Sequence, residues 1–223
     1  MSNKNIALLS IATGSEFRAS LSSCIKSHEQ YCKKNNYLYV HHVEYDYKGR
    51  PAPWGKILAI SQCLADNPEI EYIFWADADT LITNPFFKIE ILCRKLDRSN
   101  RCMLFAVDGG GNLNTGVFLI KRNETTNVIL DLIWKQEQFI NHQWWENAAL
   151  MALYPYIFQA LLVTRENNLF NSYLTGESPW QFGDFILHFA GLDNNSRNIL
   201  SNKFWDLVKI CEPLLQKHSE TNI

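Results

Sequence analysis

Two aspartates with one residue between them, Asp77 and Asp79, follow directly on a strongly apolar stretch, Tyr72-Ile73-Phe74-Trp75-Ala76. In an extended chain, residues two apart face the same side, so both carboxylates would point one way and Ala78 the other, into packing. Two bare carboxylates held together repel unless a cation sits between them. Hard divalent ions such as Mg²⁺ and Mn²⁺ take oxygen ligands and usually keep positions open for phosphate oxygens. The chemistry this spacing allows is therefore metal-bridged binding of a diphosphate. The same triplet can also cap a turn, since such triplets are common. The apolar strand in front favours the ligand reading, because open α/β sheets bind ligands beyond the carboxyl ends of their strands.

The elements that must carry the triplet can be read from periodicity. Ile6–Ala12 reads as a buried strand ending in Thr13-Gly14-Ser15. Thr13 followed by Glu16 fits a capping box, opening a helix that carries Phe17, Leu21, Cys24, Ile25, His28, Tyr31 and Cys32 at helical spacing to Asn35-Asn36. Tyr37–Val43 reads as a second strand, the segment from Glu44 to Pro53 as a loop, Trp54 to Ala65 as a helix, and Tyr72–Ala76 as a third strand. This alternation predicts a parallel sheet with crossover helices. Beyond it the pattern predicts helices over Phe86–Lys95, Glu124–Gln138, Trp145–Leu153 and Asn202–Cys211. Strands are expected over Met103–Val107, Gly116–Lys121, Ile157–Thr164 and Asp184–Phe189, with a loop at Gly109-Gly110-Gly111. The expected organisation is one α/β domain over residues 1–212, with a frayed tail over 213–223.

Composition narrows the function classes. Hydrophobic residues make up 47% of 223, enough for a sizeable core, which argues against disorder. A formal net charge of −2 gives no field for nucleic acid, so any anionic ligand must be held by local groups. The six cysteines form no CxxC pair and read as reduced thiols, neither a disulfide frame nor a zinc site. No run approaches the roughly 18 apolar residues of a membrane span, and no signal core is visible. The expectation is a cytoplasmic protein, associated at most peripherally with the inner membrane face.

Trp75-Ala76-Asp77-Ala78-Asp79-Thr80-Leu81-Ile82-Thr83-Asn84-Pro85 resembles the core motif of glycosyltransferase family 34, which holds α-galactosyl- and xylosyltransferases. Three further segments match that family in order: Asn114-Thr115-Gly116-Val117-Phe118-Leu119-Ile120-Lys121-Arg122-Asn123, Trp145-Glu146-Asn147-Ala148-Ala149-Leu150, and Gly183-Asp184-Phe185-Ile186-Leu187-His188-Phe189-Ala190-Gly191. Trp54-Gly55-Lys56-Ile57 resembles its "W-x-K" helix start. Together the matches cover roughly Ile6 to Arg197, and several in order are more specific than any one. The resemblance implies the GT-A fold, a Rossmann-like nucleotide-diphospho-sugar transferase architecture with a mostly parallel central sheet flanked by helices.

It also implies roles. Asp77 and Asp79 would meet the metal and the nucleotide ribose, with His188 as third protein ligand; without the resemblance, His188 is a core histidine. The cofactor would be Mn²⁺ or Mg²⁺ and the donor a UDP-sugar. UDP-galactose stands ahead of UDP-xylose, UDP-glucose and GDP-mannose by family weight. The partner would be a glycan or glycolipid acceptor. Glu146 would stabilise or attack the anomeric carbon, with the bland alternative of a helix-start carboxylate favourable to the dipole. Asn147 stands where the family often has glutamine, one methylene longer. A lysine expected to hold the diphosphate is absent, and Arg197 is offered in its place. Thr13 and Gly14 end the strand that meets base and ribose in such domains. Lys56 is expected at the donor, or as an exposed helix lysine. Asn114 and Thr115 would face donor or acceptor. Asp108 would bond sugar hydroxyls or serve a turn. Trp144, Trp145 and Trp180 would stack on acceptor rings, while Trp54, Trp75, Trp134 and Trp205 stay in the core.

The expected chemistry is retaining transfer of a hexose, with metal and guanidinium drawing charge off the departing diphosphate. The competing readings are a family 8-like glycosyltransferase, a non-catalytic sugar-nucleotide binder hinted at by the shorter amide, and a sugar nucleotidyltransferase. The last would need a glycine-rich basic loop after the first strand, which Thr13-Gly14-Ser15-Glu16 is not.

Overall fold

The computed structural model describes residues 5–108, 110–166, 169–176 and 179–221. In chain order they form β1 (Ile6–Ile11), α1 (Ser15–Ser20), α2 (Ser22–Asn35), β2 (Leu38–His42), α3 (Gly55–Asp66), β3 (Tyr72–Ala76), β4 (Thr80–Ile82) and α4 (Ile89–Arg98). Then come β5 (Met103–Val107), β6 (Leu113–Lys121), α5 (Glu124–Trp134), α6 (Trp145–Ile157), β7 (Leu161–Thr164), β8 (Ser172–Tyr173), β9 (Ile186–His188) and α7 (Asn194–Thr221).

The central sheet has the order β2-β1-β3-β6-β5-β7. β1 pairs parallel with β2 and β3, and β5 parallel with β7; β6 runs antiparallel to both neighbours. The sheet is thus mostly parallel, as expected, with one reversed strand. Its strands are apolar on both sides because helices cover both faces. Ala7, Leu9, Ile73 and Trp75 pack with α3, α5 and α6, while Ile6, Leu8, Tyr72 and Phe74 pack with α2 and α4. Fully burying each of the larger side chains stabilises by about 1.5–3 kcal/mol, so packing against the helices on both faces holds these strands in place.

A second sheet, β4-β9-β8, lies past the end of β3, with its own cluster against α7 that includes Ala78, Leu81, Leu187 and Phe189. The sequence pattern missed β4 and β8, which are only three and two residues long. Other differences follow local chemistry. The expected capping box does not form: Gly14 (φ 85°) takes the cap position with no side-chain cap, and Thr13 Oγ1 instead bonds Tyr47 Oη at 2.5 Å. The first helix breaks at Leu21 (φ −111°) into α1 and α2. The tail expected to fray continues α7 through Pro213 to Thr221, because Leu215 is buried in the third cluster. Asn222 and Ile223 lie outside the described residues, as does Gly109 of the predicted glycine loop. The six cysteines are all free thiols. Among the described residues, no helix is long and apolar enough to cross a membrane.

Candidate active site

Asp77 and Asp79 come together by a different route from strand alternation. β3 stops at Ala76, and Asp77–Thr80 forms a tight turn in which Thr80 N donates to Asp77 O at 3.0 Å and Thr80 Oγ1 to the same carbonyl at 2.7 Å. The turn carries the chain from the central sheet into β4. Ala78 is buried in packing, as expected. In the β4–β9 ladder Thr80 lies opposite His188, and Phe189 N donates to Asp79 O at 2.9 Å, which sets His188 beside Asp79. One ligand atom from each of Asp77, Asp79 and His188 lies within 4.8 Å of the others.

The imidazole is oriented by a relay that starts at the backbone. Gly116 N donates to Asn114 Oδ1 at 2.8 Å, which fixes that amide. The same oxygen accepts from Asn171 Nδ2 at 3.0 Å. The Asn171 oxygen is then left to face His188 Nδ1 at 3.0 Å, and it can only accept. His188 must therefore carry its proton on Nδ1, leaving the Nε2 lone pair 3.3 Å from Asp79 Oδ1. A lone pair facing a carboxylate is repulsive unless a cation or proton lies between them. The donor set of two carboxylates and one imidazole nitrogen could hold a divalent metal ion. Close packing supports the relay: a Cβ on Gly116 would stand 2.3 Å from His188 Cε1. Tyr173 stacks on the ring, with centroids 5.5 Å apart.

A second group of charges adjoins the first. Lys56, 4% exposed at the start of α3, directs its ammonium at Asp77 Oδ1 (3.1 Å), Glu146 Oε1 (2.8 Å) and Thr115 O (2.8 Å). All three of its protons have protein acceptors. It therefore acts on the expected donor site through the carboxylates it gathers, and it is not an exposed helix lysine. Burial works against its charge, yet Asp77 and Glu146 outweigh that and raise its pKa. Glu146, the second residue of α6, is also buried, and burial pushes its carboxyl above the ordinary range despite Lys56. Its Oε1 also accepts from Thr115 Oγ1 at 3.0 Å, while its Oε2 is buried with no hydrogen-bond partner among the described residues. Asn147 Oδ1 accepts from Thr115 N at 2.9 Å, so the shorter amide is committed to β6. Asp79 is buried as well, which opposes its charge, but a His188 protonated on Nε2 as well, together with Arg197, holds its carboxyl below the usual range. Arg197 Nε lies 3.2 Å from Asp79 Oδ2.

Two cavities of about 440 Å³ each meet at these groups. The first is lined by Asp108, Asn114, Thr115, Glu146, Asn147 and His188 among others, the second by Thr13, Phe17, Tyr47, Trp75 and Arg197 among others. Lys56, Asp77, Asp79, Pro53 and Trp145 line both. Every residue expected from sequence at the metal, the donor or the reacting carbon lines one or the other except Gly14. Asp108 lines the first cavity while its Oδ1 accepts from Gly110 N and Asn112 N at 2.9 Å, so it also serves the turn. Trp144 and Trp145 stand at the first cavity. Trp180 stands at neither: it packs edge-on against Phe204 and donates to Thr83 Oγ1 at 2.9 Å. Sequence reasoning missed Asn171, Tyr47 and Tyr173. A lone asparagine in an irregular segment carries no periodic signal, and no pattern could have singled it out.

The match to known proteins agrees with this geometry. The family model described as the galactosyl transferase GMA12/MNN10 family matches residues 3–104 and 93–198. An uncharacterized alpha-1,2-galactosyltransferase of Schizosaccharomyces pombe is 24% identical over 212 residues, covering 77% of this chain and 56% of its own length. A probable alpha-1,6-mannosyltransferase, MNN10 of Saccharomyces cerevisiae, is 27% identical over 179 residues, covering 62% of this chain and 46% of its own. The chain thus spans about half the length of these two relatives. Among solved structures, a glycosyltransferase involved in the glycosylation of the major capsid of PBCV-1 superposes with a TM-score of 0.73 at 14% identity. That superposition covers 89% of this chain and 98% of the other, a likeness of fold. With the matched segments spanning nearly the whole chain and carrying the paired aspartates, the histidine and the buried glutamate, the chain belongs to glycosyltransferase family 34, the galactosyl transferase GMA12/MNN10 family.

Proposed function

We propose that this chain is a metal-dependent, retaining glycosyltransferase that moves a hexose, galactose first, from a UDP-sugar to a glycan or glycolipid acceptor. The observation that carries the reading is the relay from Gly116 N through Asn114 and Asn171 to His188, which aims a lone pair at Asp79. Asp77, Asp79 and His188 would hold Mn²⁺ or Mg²⁺, which when bound supplies charge neutralisation at the diphosphate. The chain's own groups do the rest. Thr13 and Tyr47 line the second cavity, which suits the nucleoside. Arg197 swings between Asp79 and the diphosphate, where its guanidinium takes up charge as the sugar–phosphate bond breaks. Lys56 keeps Glu146 beside the first cavity, which suits the sugar and acceptor. The Oε2 without a partner serves the developing positive charge at the anomeric carbon. Asn147 holds the backbone of Thr115 and so braces that arrangement, which favours catalysis over mere binding.

A panel of sugar nucleotides incubated with Mn²⁺ tests this by release of UDP or GDP, with nuclear magnetic resonance of the product giving the anomeric configuration. Asp79→Ala should abolish release. A variant that hydrolyses donor at the wild-type rate would remove the metal assignment, and an inverted product would remove the retaining mechanism.

A further inference from the structure

Trp145 adopts φ 41° at the first position of α6. Among the described residues, the other non-glycine positions at positive φ are Asn36, Lys48 and Asn100, none of them aromatic. Asparagine tolerates this region and a bulky side chain does not, at a cost of about 1–2 kcal/mol. The indole does little to offset that cost. It is 37% exposed, and among the described residues it has no hydrogen-bond partner and no aromatic neighbour. Local backbone chemistry would place glycine or asparagine here, so tryptophan stands against the needs of the fold. Strain of this kind concentrates at ligand sites. The place of the indole says what for. Trp145 lines both cavities, beside Lys56, Asp77 and Asp79, and the turn that carries it delivers Glu146 to its buried position next in the chain.

We infer that Trp145 is a specificity-determining wall between the two cavities, held in a strained conformation to keep water from the reacting carbon while an acceptor hydroxyl is admitted. The inference rests on the donor and acceptor assignment proposed above. In transfer and in hydrolysis alike, the bond between the anomeric carbon and the diphosphate oxygen breaks, and its electron pair leaves with UDP. A new carbon–oxygen bond forms to the acceptor hydroxyl or to water, and the proton displaced passes to the departing phosphate. The indole's apolar face lets a sugar ring lie against it and gives water no hydrogen bond.

The experiment compares Trp145→Gly, Trp145→Ala and Trp145→Phe with the wild type, using UDP-galactose, Mn²⁺ and a panel of methyl hexopyranosides as acceptors. Two readouts are taken: the ratio of transfer to hydrolysis, and the melting temperature. In Trp145→Gly and Trp145→Ala the ratio should fall about tenfold or more, while Trp145→Phe stays within about threefold of wild type. UDP affinity by calorimetry should change less than about threefold in all three, since the diphosphate is held by other groups. In an ordinary helix alanine is more stable than glycine. Here Trp145→Gly should melt about 2–4 °C above Trp145→Ala, because only glycine relieves the strain. An unchanged ratio in an active wild-type background overturns the wall, and Trp145→Ala melting above Trp145→Gly overturns the strain. If the wild type neither binds UDP nor hydrolyses any donor, the proposed function fails and this inference falls with it.

Discussion

Replacing Lys56 by methionine removes the cation that three buried acceptors share and leaves the volume nearly unchanged. Glu146 bears most of the loss, because it is fully buried and its Oε1 lies 2.8 Å from the ammonium. Asp77, 3.1 Å away, keeps about a third of its side chain in solvent and is screened there. Removing one partner of a buried pair costs about 3–5 kcal/mol, since the other charge is left uncompensated. For a chain of this size that is a melting temperature lower by about 6–20 °C. The loss depends on pH in a definite direction. The folded-state pKa of Glu146 already lies above its ordinary value of 4.5, and it rises further without Lys56. Between 4.5 and that raised value the folded variant binds more protons than the unfolded chain, so its stability falls as pH rises through this window. The deficit relative to wild type is smallest in acid and fully developed above the window. Adding Glu146→Gln to Lys56→Met removes the stranded charge and should recover about 2 kcal/mol or more in a double-mutant cycle. Urea unfolding followed by tryptophan fluorescence at several pH values supplies every number. A single variant within about 1 kcal/mol of wild type, with no coupling to Glu146→Gln, would refute the view that Lys56 gathers the two carboxylates.

Three other perturbations act on the group of Asp77, Asp79 and His188. Gly116→Ala puts a methyl 2.3 Å from His188 Cε1, so it should destabilise by about 1–3 kcal/mol and weaken Mn²⁺ binding measured by electron paramagnetic resonance. Asn171→Ala removes the acceptor that fixes the His188 tautomer, and Mn²⁺ affinity should drop about 10–100-fold with the fold retained. Arg197→Ala should act with opposite signs: it frees Asp79 and raises affinity for Mn²⁺ alone, yet lowers affinity for UDP in the presence of Mn²⁺. Calorimetry resolves both, and a variant that binds Mn²⁺ more weakly would show that Arg197 supports the ion instead of competing with it.

Much of the frame could be read residue by residue. β3 and β5 fall where alternation and apolar runs place them, because burial on both faces leaves an unbroken hydrophobic signal. Helix ends were less legible: α7 begins eight residues before the expected start at Asn202, and α5 stops at Trp134 where Gln138 was expected. Those ends depend on what the last turn packs against, which local propensity does not encode. Thr13 shows the same limit, since Tyr47 outbids the backbone for its hydroxyl.

By itself the amino-acid order determined the fold class, the paired aspartates after β3 and the family to which they belong, since these rest on local periodicity and contiguous motifs. Only the tertiary structure decided how the site is built. The aspartates meet through a turn, not along a strand. His188 reaches them through the β4–β9 register, Asn171 sets its proton, and Lys56 binds Asp77 to Glu146 across ninety residues of chain. Such contacts join residues distant in sequence, and their energies depend on burial and geometry that no local pattern carries.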